Sequence, residues 1–143
     1  MNRDEICARL PHAGSMCLLE ALETWDAETI VCRAVSHRDA GNPLRARNHL
    51  HAVNGVEYAA QAMALHGSLL AEPGRKPAVG YLASVRDLVL HIDDLSAVNA
   101  PLRISARRLS GDSAGFVYDF EIHADDRLLL NGRVTALLRA GAA

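Results

Sequence analysis

Ile6 and Leu10 lie four apart, on one helical face, which predicts a short helix over residues 2–10 that Pro11 ends. Met16–Thr24 and Glu28–Ser36 read as two strands joined by the turn Trp25-Asp26-Ala27. In the second, Ile30, Cys32 and Ala34 alternate with Val31, Arg33 and Val35, the pattern of a largely buried strand. Residues 37–53 are polar and carry Asn42, Pro43, Arg45, Arg47, His49 and His51; a connection of that length in a compact domain is usually functional or disordered. From Asn54 to about Ala71 the chain is small and apolar on nearly every side, as in a helix wrapped by other structure. After the breakers Glu72–Pro77, four strands are predicted at Val79–Ile92, Pro101–Leu109, Gly115–Ala124 and Leu128–Leu138. Leu102, Ile104 and Ala106 share one side of the second, and Phe116, Tyr118, Phe120 and Ile122 one side of the third. Short helix, hairpin, long loop, long buried helix and four antiparallel strands make an α+β domain, with the sheet curling round one helix.

Glu57 is the odd residue of that helix. Asn54 and Glu57 have the spacing of a capping box, so Glu57 is either a cap or a functional group. Gln61 lies four residues on, on the same face.

The 143 residues fit a single domain over 1–143. Half are hydrophobic and 22% charged, a globular composition. A net charge of −2 argues against nucleic acid, whose binders carry a basic footprint. Met1–Glu5 places acids where a signal peptide wants a basic region, and no apolar run reaches membrane-spanning length, so a cytoplasmic protein is expected. Cys7, Cys17 and Cys32 form no C-x-x-C pair and read as reduced thiols of such a compartment. His49-x-His51 invites a metal reading, but no further ligand cluster accompanies it, and no metal is expected. Neither a Ser-His-Asp arrangement nor a phosphate-binding glycine loop is present.

Several strings resemble a known family. Leu10-Pro11-His12 followed by Met16-Cys17-Leu18-Leu19-Glu20, then Glu57-Tyr58-Ala59-Ala60-Gln61-Ala62, then Gly80-Tyr81-Leu82-Ala83-Ser84-Val85-Arg86 are similar, in that order, to motifs of the hotdog-fold 3-hydroxyacyl-carrier-protein dehydratases. The combination is most similar to the dehydratase-like proteins of bacterial aryl polyene biosynthesis, and the resemblance runs over about residues 8–139. It implies a hotdog fold, a dimer or higher hotdog oligomer, of like subunits or as a heterodimer, with active sites at the subunit interface, and an acyl chain carried on the phosphopantetheine of an acyl carrier protein. No resident cofactor is implied.

In that family a loop histidine works with an acid on the central helix of the other subunit. By position Glu57 matches the acid and Gln61 the family glutamine. Counting back to the family histidine reaches Pro43, or Asn42 with a one-residue gap. Neither is a base, and Asn42 is expected only to line the substrate site. His49 and His51, eight and six residues before Glu57, are the candidate bases. Their alternation puts them on opposite sides of an extended segment.

Dehydration of a 3-hydroxyacyl thioester needs a base for the α-proton, an acid for the departing hydroxyl and donors for the developing oxyanion. Imidazole suits the first role, and a carboxyl held in an apolar tunnel suits the second. Backbone N–H groups of Gly55 and Val56, at the helix N-terminus, suit the third, and Gly55 would let a thioester approach. Gln61 would orient Glu57 or the thioester, or else bond a neighbouring strand. His12 would line the tunnel mouth or be structural. Arg45, Arg47 and Arg86 would dock the carrier protein or its phosphate. His37, His66, His91 and His123 have no motif around them. A thioesterase using Glu57 to activate water, and a non-catalytic subunit of a heterodimer, are the alternative functions on the same fold.

Overall fold

The computed structural model describes residues 1–10, 16–71, 80–112 and 114–138. Helix α1 (Arg3–Arg9) opens the chain. Asn2 caps it, its side chain accepting the Glu5 N–H while the Glu5 carboxylate accepts the Asn2 N–H. Ile6 and Leu10 face the core as expected. Strands β1 (Ala21–Trp25) and β2 (Thr29–Ala34) follow, then the long loop, the central helix α2 (Gly55–Leu70), and strands β3 (Gly80–Leu90), β4 (Leu102–Gly111), β5 (Gly115–Ala124) and β6 (Arg127–Leu138).

The six strands form one antiparallel sheet in the order β1-β2-β4-β5-β6-β3. Its inner face is built by the predicted alternation. Ile30, Cys32, Leu102, Ile104, Tyr118, Phe120 and Ile122 are all buried and pack round α2, whose own Tyr58, Ala59, Ala62 and Leu65 are 0% exposed. The first predicted strand starts late. Residues 16–20 are not in the ladder, yet Cys17, Leu18 and Leu19 are buried, because Gln61 on α2 takes up the Met16 carbonyl and the Leu18 N–H.

Folding that segment back beside α1 brings the Cys7 and Cys17 Cα atoms to 5.8 Å, and the two are joined in a disulfide. This corrects the reading of three reduced thiols; the pairing crosses α1 to a different segment, so no local cysteine motif announces it. Cys32 is free and buried, with burial pushing its thiol up to about 12, which makes it inert. Among the described residues no helix is long and apolar enough to cross a membrane.

Candidate functional site

The expected capping box at the start of α2 does not form. A short 3₁₀ turn, Ala52–Asn54, runs directly into the helix. Asn54 therefore has helical backbone angles, φ −65° and ψ −13°, and its side chain caps nothing. The cap is supplied by His51, whose ring Nδ1 accepts the Val53 N–H at 3.1 Å. Glu57 is thereby relieved of the capping role. It stands half-buried in the first turn of α2 and makes no hydrogen bond or ion pair with any described residue. Its side chain is thus left to meet a ligand or a second chain.

The residues beside it are more constrained than the sequence implies. The Gly55 N–H already points back to the carbonyls of Ala52 and Val53, so it is not available for a thioester oxygen. A Cβ on Gly55 would lie 2.7 Å from Leu130 Cδ1 and 3.2 Å from Ile122 Cδ1. The glycine thus serves close packing of helix on sheet. Val56 is buried. Gln61 is fully buried, its amide donating to the Met16 carbonyl at 2.6 Å and accepting the Leu18 N–H at 2.8 Å. Both partners lie in the segment that precedes β1, not in a strand as the structural alternative for Gln61 expected.

Asn42 is also committed. Its amide N–H groups donate to the Ser36 carbonyl and the Tyr58 hydroxyl, and its oxygen accepts the Leu44 N–H. Ser36 Oγ donates to the Leu18 carbonyl and lies 2.9 Å from Tyr58 Oη. Because the serine proton is spent on Leu18, Tyr58 donates to Ser36 Oγ. Asn42 fastens the long loop to α2 through this chain. Arg45 is drawn inward to the His37 carbonyl, while Arg47 and Arg86 stay exposed. His12 lies outside the described residues.

The two loop histidines are held in different states. His49 Nδ1 lies 2.7 Å from Asp94 Oδ2. The other Asp94 oxygen accepts the Leu50 N–H, the Ser96 N–H and the Ser96 hydroxyl. Burial works against charge on Asp94, but the bonds from Ser96, His49 and Leu50 outweigh it and hold the carboxyl well below the usual range. Ionised Asp94 can only accept, so His49 Nδ1 carries the proton, and in the neutral ring Nε2 holds the lone pair. His51 is the opposite case. Its Nδ1 accepts a backbone N–H, so its Nε2 carries the proton. The turn that delivers His49 is tight. Ala46 and His49 exchange both backbone bonds, and Arg47 and Asn48 between them have φ of 52° and 64°, a left-handed pair that costs an arginine some strain. Neither histidine bonds Glu57 within the chain.

Asp94 and Ser96 have no place in the sequence reading. Asp-x-Ser is a local capping signal, but the reach of forty-five residues to His49 leaves no trace in local pattern. His66 also differs from its bland reading. It is fully buried, with Nε2 donating to the Asp26 carbonyl at 2.7 Å and Nδ1 accepting from the Tyr118 hydroxyl at 2.6 Å. Burial lowers the His66 pKa and pushes Tyr118 up to about 12. Among the described residues no group of His, Cys, Asp and Glu is placed to hold a metal ion.

Comparison with known proteins gives this geometry its setting. The family model for the ApeP-like group, described as ApeP dehydratase, matches residues 5–140. No curated protein matches. Among solved structures, the dehydratase heterocomplex ApeI:P from Xenorhabdus doucetiae is 22% identical with a TM-score of 0.85, covering 98% of this chain and 92% of that one. A mutant thioesterase from Pseudomonas aeruginosa is 15% identical with a TM-score of 0.68, covering 96% and 94%. A thioesterase family protein from Silicibacter pomeroyi is 16% identical with a TM-score of 0.67, covering 97% and 96%. At these identities the structures speak to the fold, which is the expected hotdog: one antiparallel sheet round one long helix. The family match spans the helix acid, both loop histidines and Asp94, and on it the chain belongs to the ApeP-like dehydratase family.

Proposed function

We propose that the protein removes water from 3-hydroxyacyl thioesters carried on an acyl carrier protein, leaving trans-2-enoyl thioesters, in a pathway of the aryl polyene or related fatty-acid type. Glu57 returns a proton to the departing β-hydroxyl, and a histidine of the 37–53 loop takes the α-proton. The observation that carries this reading is the state of Glu57: in the first turn of the buried helix, half-exposed, with no cap or ion pair to satisfy among the described residues. The family match supports dehydration over other hotdog chemistry. The substrate arrives on its own phosphopantetheine, so no resident cofactor is required.

Glu57 and the loop histidines do not bond within one chain, which favours a site completed by a second hotdog subunit. The ApeI:P structure is a heterocomplex, and an unlike partner is as compatible with this site as a second copy. Exposed Arg47 and Arg86 are proposed to meet the acidic carrier protein, and the cytoplasm is the proposed compartment. The test is turnover of a 3-hydroxyacyl carrier protein by wild type and by Glu57→Gln. An enoyl thioester from wild type and a loss of roughly a hundredfold or more in the variant supports the assignment. Undiminished turnover by the variant removes Glu57 as the acid, and release of a free acid and thiol would identify a thioesterase.

A further inference from the structure

We infer that His49 is the general base of the dehydration and that Asp94 is its positioning residue, the two forming a dyad that His51 cannot replace. The inference rests on the dehydratase reading above. It begins with a requirement: the base must present a nitrogen lone pair to the α-carbon. Neutral imidazole has one such nitrogen, and the partner of the other nitrogen decides which it is.

In His51 the lone pair is spent on the Val53 N–H. Its remaining nitrogen is a donor, so this ring caps the 3₁₀ turn and cannot accept a proton without giving up the cap. His37 and His66 are buried, with Nε2 donating to the carbonyls of Val98 and Asp26 respectively. His49 differs from all three. Its Nδ1 proton is taken by Asp94, and its Nε2 lone pair is directed away from that carboxylate on a side chain 71% exposed.

Asp94 is itself immobilised. Three donors hold Oδ1, leaving Oδ2 for the imidazole. The left-handed pair Arg47 and Asn48 carries the chain round so that His49 meets this carboxylate. The strained turn and the four-bond carboxylate thus meet at a histidine of the loop that leads into α2, on a side chain that is mostly exposed. As in other carboxylate–imidazole pairs, the carboxylate fixes the tautomer and stabilises the imidazolium once the proton arrives, without taking that proton itself.

His49 Nε2 takes the α-proton, and the Cα–H electron pair becomes the Cα=Cβ bond. The Cβ–O bond breaks, and the hydroxyl leaves with the Glu57 proton as water. The imidazolium and the carboxylate left behind exchange one proton through solvent to reset the site.

The test uses His49→Asn, whose amide N–H sits near the Nδ1 position and can keep the bond to Asp94 while lacking the base, and Asp94→Asn, which keeps shape and loses charge. Both are assayed on a 3-hydroxyacyl carrier protein beside wild type, Glu57→Gln and His51→Asn. The expected result is a loss of roughly a hundredfold in kcat for His49→Asn. Asp94→Asn is expected to lose roughly tenfold or more and to reverse the His49 tautomer to Nε2–H, because three donors keep the amide oxygen at the Oδ1 position and leave the amide N–H facing Nδ1. Nitrogen NMR of the wild-type imidazoles is expected to show the Nδ1–H tautomer for His49 and the Nε2–H tautomer for His51. Wild-type turnover that depends on Glu57 but survives His49→Asn, or is lost only in His51→Asn, overturns the dyad and leaves the dehydratase reading standing. So does a His49 tautomer unchanged in Asp94→Asn, or an Nε2–H tautomer at His49 in the wild type. Absence of dehydration by wild type overturns the dehydratase reading and the dyad with it.

Discussion

Gln61→Met separates a structural clamp from a substrate ligand. Methionine nearly matches glutamine in length and volume, so the substitution leaves no large cavity and removes only the two amide bonds. One of these satisfies the Leu18 N–H, in a residue 1% exposed; the other satisfies the Met16 carbonyl, which is partly buried. A buried group left unpaired costs about 1–3 kcal/mol. Leu18 falls toward the upper end and Met16, which can recruit water, toward the lower, so a total of about 2–4 kcal/mol is expected. For a domain of this size that corresponds to a fall in Tm of roughly 6–14 °C. Urea unfolding at one fixed protein concentration measures it, with the midpoint falling and the slope unchanged. Turnover measured well below the new midpoint should keep its KM within about twofold, since the amide is expected to touch no substrate. A midpoint within error of wild type combined with a tenfold rise in KM would refute the clamp and return Gln61 to the substrate site.

Two further outcomes follow from the buried groups. Because burial lowers the pKa of His66 and of His37 in the folded state, the unfolded chain binds more protons below about pH 6.5. Stability is therefore full above that value and is lost as pH falls toward 5, by up to about 1.4 kcal/mol per unit for each histidine; the slope of urea stability against pH should drop by as much as one proton in His66→Gln, and an unchanged slope would show that His66 protonates freely in the fold. Reducing the Cys7–Cys17 disulfide opens a loop of ten-residue separation, for which loop-closure entropy predicts a loss of about 3 kcal/mol, read as a lower Tm in thiol reductant and absent in a Cys7→Ser, Cys17→Ser double variant.

The elements that read correctly from sequence are those whose signal is local. β5 was bounded by Gly115 and by the Asp125 turn, and its alternation was uninterrupted; α2 was marked by a run of buried small residues between two breakers. The parts that misread depend on contacts distant in sequence. Residues 16–20 have strand-like composition, but Gln61, far away in sequence, takes the Met16 carbonyl and the Leu18 N–H, and the segment reaches β2 at Glu20, whose N–H donates to the Arg33 carbonyl. The capping box at Asn54 satisfied its spacing rule and failed because the 3₁₀ turn moved the first unpaired amides forward to His51. The same spacing rule held at Asn2 and Glu5, where it had not been read. Glu57 could be named from sequence as the unusual residue of its helix, but its freedom from the cap could be learned only from the path of the chain before it.

The histidines show why residue type alone underdetermines a site. The sequence offers seven, and local pattern separates them poorly. What separates them is the partner of each ring nitrogen. A backbone carbonyl fixes His66 as a donor at Nε2, a tyrosine hydroxyl consumes its other nitrogen, and the residue becomes core. A backbone amide consumes the lone pair of His51 and makes it a cap. A carboxylate consumes the proton of His49 and leaves the lone pair. The first two arrangements spend the ring on the chain's own backbone, and each stabilises the fold. The third spends a three-times-bonded aspartate and a left-handed arginine on a ring that is mostly outside the fold, where the contribution to stability is small because water screens the pair. An arrangement that costs backbone strain and returns little stability is better explained by what it presents outward, and here that is a basic nitrogen on the loop that leads into the helix of Glu57, a carboxyl with no partner among the described residues.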